Sequence, residues 1–186
     1  QLNAAFDRAA QDDTVKVAIL AAEGRNFSAG HDLGPGDGKT LRDFETVGTW
    51  AGFEAKGAEA RYGREMEIYL EMCERWRALS KPTIAEVRGK VIAGGLMLAW
   101  VCDLIVASED AFFQDPVNPL MGIPGVEYFA HAYELPPRVA KEFLLLGERM
   151  PAARAYSFGM VNKVVPREEL REATAAWANK LARQGR

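Results

Sequence analysis

The chain has 186 residues, 48% apolar and 26% charged, which is the length of one folded domain and the composition of an ordinary globular one. Lys plus Arg number 23 against 26 Asp plus Glu, a net charge of −3, so there is no basic field with which to grip a phosphate backbone, and nucleic acid is not expected as a partner. Two cysteines without Cys-x-x-Cys spacing and two histidines exclude a disulfide framework, a zinc cluster and a histidine-rich metal centre, and make a reducing, cytoplasmic setting the default.

In chain order, the first clear element is the β-branched run over 15–20, closed by Glu23-Gly24-Arg25, which reads as a buried strand. Residues 34–63, opening on Gly34-Pro35-Gly36-Asp37-Gly38 and lacking a steady period, read as a mobile loop or lid. Over 64–79 the apolar set Met66, Tyr69, Leu70, Cys73, Trp76 and Leu79 recurs at helical steps, with Glu65, Glu71, Glu74 and Arg75 on the wet face. Pro82 ends that helix and a strand follows over 83–87. A second strand is expected over 103–107. Between the two, Gly94-Gly95 opens a short helix through Trp100 that is apolar on all sides and so belongs inside the protein.

Residues 138–146 have a helical pattern, and Pro151 suits the first turn of another helix that ends at Gly159. A strand over 160–165 and an amphipathic helix over 168–182, burying Leu170, Ala173, Trp177 and Leu181, complete an α/β arrangement in a single domain spanning 1–186. The longest apolar stretch, over 91–100, is too short to cross a bilayer and carries two glycines, so no membrane span is expected. Gln1 opens the chain without a basic region, apolar run and cleavage site, so no secretory signal is read, and the abruptness suggests that an opening segment is missing.

Two tempting motifs fail on spacing. The glycine run over 34–40 has three residues between its outer glycines where a phosphate loop needs four, and no strand leads straight into it. Ser28, His31 and Asp32 are a triad by composition only: Asn26 occupies the position where a nucleophile elbow needs glycine, and triads are assembled from separate elements. More informative are two small-residue turns, each directly after a predicted strand: Phe27-Ser28-Ala29-Gly30-His31-Asp32-Leu33 and Gly89-Lys90-Val91-Ile92-Ala93-Gly94-Gly95-Leu96. Such turns bring bare backbone amides close to a ligand, and two of them could make one oxyanion hole.

With these blocks in hand, the chain resembles the crotonase superfamily, the enoyl-CoA hydratases and isomerases. The likeness runs in order through residues 26–33, 82–106, Met121-Gly122-Ile123-Pro124-Gly125, 146–155 and 159–166. It implies a spiral core of repeated ββα units, with part of the family's opening strands and closing helices missing, and activity on acyl-CoA or enoyl-CoA thioesters. CoA would be part of the substrate, with no separate cofactor and no metal. Carried over by position, the amides of His31 and Gly94 would bind the thioester oxygen, and Ser28, Ala29, His31, Asp32, Leu33, Gly94 and Gly95 would wall the site. The family's two hydratase glutamates fall at Met97 and Val117, which transfer no proton. An acid that other members place at the position of Gly125 makes nearby Glu127 the leading base candidate and Asp115 the runner-up, with a turn acid as the plainer reading of Asp115. Tyr128 and His131 read as core packing, Asp32 as a loop cap, and Lys39 or Arg25 as contacts for CoA phosphate. The likeness also implies a homotrimer or hexamer, with Trp50, Trp76 and Trp177 as candidate contacts.

Overall fold

The computed structural model describes residues 1–31, 56–122 and 130–184. Helix α1 (Leu2–Gln11) leads to strand β1 (Ala18–Ala21). After the undescribed stretch come α2 (Ala58–Glu65), a wider π-helical stretch (Met66–Glu71) and α3 (Met72–Arg77), so residues 58–63 of the expected loop over 34–63 are helical, while 34–55 lie outside the described residues. The chain then alternates: β2 (Thr83–Val87), β3 (Lys90–Ile92), α4 (Gly94–Trp100); β4 (Leu104–Ser108), β5 (Phe112–Gln114), α5 (Val117–Met121). Helices α6 (His131–Glu134) and α7 (Pro137–Leu146), strand β6 (Met150–Pro151), α8 (Ala152–Ser157), β7 (Lys163–Val165), a 3₁₀ turn (Arg167–Glu169) and α9 (Leu170–Ala182) follow.

Each strand–strand–helix unit gives one strand to each of two sheets. Strands β1, β2, β4 and β7 form a parallel sheet in that order, and β3, β5 and β6 form a second sheet in which β3 and β5 are parallel and β6 is antiparallel to β5. In the first, Ala85 pairs with Leu20 and with Ile105; in the second, Val91 pairs with Phe113, and Ser28 makes a parallel bridge to Val91. Ser28, Val91 and Phe113 are therefore successive rungs supplied by three successive units, which is the repeated ββα spiral expected from the sequence.

Parallel strands bury both faces, and β2 is buried at every position. Ala85 and Val87 face a core of Val91, Leu96, Trp100, Ile105 and Phe113, while Ile84 faces Val106, Val165 and Leu170, against which Ala173, Trp177 and Leu181 of α9 pack. A third cluster joins Phe6, Cys73, Trp76, Met97 and Val101. Helix α4 contributes to two of these clusters, as expected of a helix apolar all round. Trp76 is 5% exposed and stacks on Phe6 at 4.9 Å, so it is a core residue, not a surface contact as expected for an assembly; Trp50 lies outside the described residues.

Polar groups close the ends of the elements. The Lys81 ammonium donates to the carbonyls of Ala9 and Asp12, both at 2.6 Å, and so satisfies the C-terminal end of α1 and its following turn. Asp103 accepts from the Thr83 amide and hydroxyl, each at 2.8 Å, and locks the starts of β2 and β4 together. Burial pushes both thiols, Cys73 and Cys102, up to about 12, with the charges of Glu74 and Asp103 adding to the rise, so neither is a thiolate nucleophile at neutral pH. Among the described residues no helix is long and apolar enough to cross a membrane.

Candidate active site

The two small-residue turns are the ends of neighbouring rungs, and the ladder brings them together. The Ile92 amide donates to the Ser28 carbonyl at 3.0 Å, and the Ala93 amide to the Gln114 carbonyl at 3.0 Å. The first turn is steadied from both sides. Ser28 Oγ accepts from the Gly30 amide at 3.3 Å, and Asn26 Oδ1 accepts from the Lys90 amide at 3.2 Å. Arg167 bonds the Arg25 carbonyl at 2.6 Å while pairing with Asp110 at 2.5 Å, which ties the entry of this turn to the far end of the chain.

Space between the turns admits no side chain. A β carbon on Gly95 would lie 2.7 Å from the Ser28 carbonyl oxygen, and one on Gly30, which has φ +96°, would lie 3.0 Å from the Ile92 oxygen and 3.5 Å from the Gly94 nitrogen. Close backbone approach is thus the reason for glycine at both positions. Gly95→Ala is expected to cost ~1–3 kcal/mol of stability by forcing the turns apart, readable as a lower urea midpoint.

Between them, Ala93 has φ +50° and ψ −117°, and it is the one non-glycine residue with positive φ among the described residues. A strained residue of this kind costs of order 1–3 kcal/mol and is held only where its surroundings fix it, here the bond to Gln114 and the start of α4. Gly94 follows as the first residue of α4, where an amide has no partner within the helix, and among the described residues no backbone carbonyl accepts from it. The His31 ring lies against this corner, 3.4 Å from where a Gly94 β carbon would be, and meets Tyr69 edge-on at 4.3 Å. Tyr69 sits on the π-helical stretch, which also carries the fully buried Glu67. The extra residue per turn rotates the helix face there. Single-period counting from the sequence does not see that rotation, and did not single out Glu67.

The remaining expected site residues separate clearly. Ser28, His31 and Gly94 are half-buried, Gly95 is buried and Ala29 is exposed, all around the paired turns; Asp32, Leu33, Lys39, Glu127 and Tyr128 lie outside the described residues. Met97 is 1% exposed and packs in the Phe6, Cys73 and Trp76 cluster. Val117 is half-buried at the start of α5. Asp115 is 0% exposed: its Oδ1 accepts from the Val117 amide at 3.0 Å, as a turn acid does, and its Oδ2 lies 2.9 Å from His131 Nε2, whose side chain is also fully buried. The sequence offered no signal for this pairing, which is made by packing alone.

Comparison with known proteins follows the same outline. A profile of the enoyl-CoA hydratase/isomerase family matches residues 1–186. A Mycobacterium tuberculosis protein named "Putative enoyl-CoA hydratase EchA13" is 48% identical over 98% of this chain and 59% of its own length, so the chain spans little more than half of that relative. The human "Enoyl-CoA hydratase domain-containing protein 3, mitochondrial" is 33% identical over 93% of the chain and 52% of its own length. Among solved structures, a "probable enoyl-COA hydratase" from Mycobacterium thermoresistibile superposes with a TM-score of 0.81 at 47% identity, covering 98% of this chain and 68% of that one.

Proposed function

The chain belongs to the enoyl-CoA hydratase/isomerase family, and from that membership we propose that it is a hydratase- or isomerase-type enzyme that holds the carbonyl oxygen of an acyl-CoA thioester between the backbone amides of His31 and Gly94. Removing a proton beside a thioester, or adding across its conjugated double bond, drives negative charge onto that oxygen. Fixed amides already aimed at it stabilise the charge without reorganising. The observation that carries the reading is the close apposition of the two turns, with a strained Ala93 and the first amide of a helix at their junction. Ser28, Ala29, Asp32, Leu33 and Gly95 complete the wall, CoA enters as part of the substrate, and Glu127 is the proposed base. The imidazole of His31 plays no proton-transfer role in this reading. A homotrimer or hexamer in the cytoplasm belongs to the same proposal.

A second reading has specific support: Met97 and Val117 put no carboxylate at either family glutamate position, which favours a member that binds acyl-CoA without turning it over. Crotonyl-CoA separates the two, because hydration removes its conjugation and the absorbance falls. Steady loss of absorbance supports the enzyme; saturable binding without turnover across several enoyl-CoAs supports the binder; no binding at all rejects both.

A further inference from the structure

We propose that Asp115 and His131 form a buried positioning pair that sets the location of the Gly94 amide, an inference that rests on the oxyanion-hole reading above. The ladder places Asp115 across from Ala93, the residue that precedes that amide. Ile92 and Gln114 are the last paired rung between β3 and β5, so Ala93 and Asp115 are the next residues out on adjacent strands, and the Ala93 amide is held by the carbonyl of Gln114, the immediate neighbour of Asp115. Whatever fixes Asp115 therefore fixes the strained residue that presents Gly94.

Asp115 is anchored through Oδ1 and in close contact through Oδ2. Oδ1 takes the Val117 amide at 3.0 Å and Oδ2 faces His131 Nε2 at 2.9 Å, with both side chains 0% exposed. The His131 ring in turn meets Trp100 edge-on at 4.8 Å and stands 6.0 Å from Phe143. Trp100 is the last residue of α4 and Gly94 the first. The pair thus bears on both ends of the same helix: on its start through Gln114 and Ala93, on its end through Trp100. A buried polar pair is a poor way to gain stability, since well-packed apolar residues of the same volume do as well or better. What it supplies is a fixed position, because a carboxylate anchored by a backbone amide and set 2.9 Å from an imidazole nitrogen has fewer arrangements open to it than an apolar contact. Sealed from solvent, neither residue meets substrate, and both act through the backbone of Gln114 to Gly94.

trans-Cinnamoyl-CoA tests this, because its conjugated thioester absorbs further to the red when hydrogen bonds polarise the carbonyl. The wild type is expected to bind it with a red shift. His131→Leu is expected to bind it with similar affinity but lose most of the shift, and to lower kcat for crotonyl-CoA ~10²-fold with little change in KM. His131→Gln, whose amide can donate to Asp115, is expected to restore most of both. Should the leucine variant fail to fold, Asp115→Asn, which keeps the side chain's size, is read in the same way. Absence of a shift in the wild type overturns the oxyanion hole and the pair's role with it. A wild-type shift undiminished in a folded His131→Leu or Asp115→Asn overturns the pair's role alone.

Discussion

Replacing Gly94 by proline is expected to lower kcat for crotonyl-CoA by ~10²–10³, the effect of deleting one oxyanion donor elsewhere. Position 94 suits the test because it is the first residue of α4, where proline's missing amide removes no hydrogen bond of the helix and its fixed φ fits. The preceding Ala93, at φ +50° and ψ −117°, lies outside the extended range that a residue before proline prefers, so the variant's melting temperature is to be measured alongside. His31→Ala provides the contrast. It removes the ring that meets Tyr69 at 4.3 Å but leaves the residue 31 amide in place, so a far smaller loss of turnover is expected. A folded His31→Ala variant as impaired as Gly94→Pro would assign chemistry to the imidazole.

The largest loss of stability is expected at Phe113. Its ring is 0% exposed in the main core, on the strand that pairs with both Val91 and Met150 and so holds the second sheet together. Phe113→Ala removes that ring from a packed interior and leaves a cavity that only partly collapses, at ~3–5 kcal/mol. At ~2–4 °C per kcal/mol for a chain of this size, thermal unfolding should fall by roughly 6–20 °C. Because Phe113 stands on the rung after Ser28 and Val91, the same variant should lose acyl-CoA binding at temperatures well below its own melting point. A melting temperature within a degree of wild type would mean that the second sheet does not depend on this ring.

The parts of the fold that could be read from sequence are those whose local chemistry agrees with their surroundings. The strand after Pro82 was expected over 83–87 and is found at Thr83–Val87, because a β-branched run buried on both faces has no other use. Helix α4 was legible from being apolar all round after two glycines, and α9 from its single buried stripe. Strands β3, β5 and β6 have three, three and two residues, too few for any period to show: β3 reads as part of the second turn, Pro151 of β6 as the start of a helix, and β5 leaves no pattern at all. Yet those strands carry the rungs that join the two turns. Helix α1 is not legible in the sequence because its one buried residue is Phe6 and its start has no side-chain cap. The two turns of the site were legible because a glycine that cannot accept a β carbon leaves a mark in sequence; a pair such as Asp115 and His131, brought together only by packing, leaves none.

The claim that two peptide N–H groups from successive units meet one carbonyl is tested most directly by a crystal structure of the protein bound to a substrate-like CoA thioester. The thioester oxygen is predicted to lie within ~2.7–3.1 Å of the nitrogens of both His31 and Gly94. An oxygen in contact with only one of them, or with neither, would contradict it.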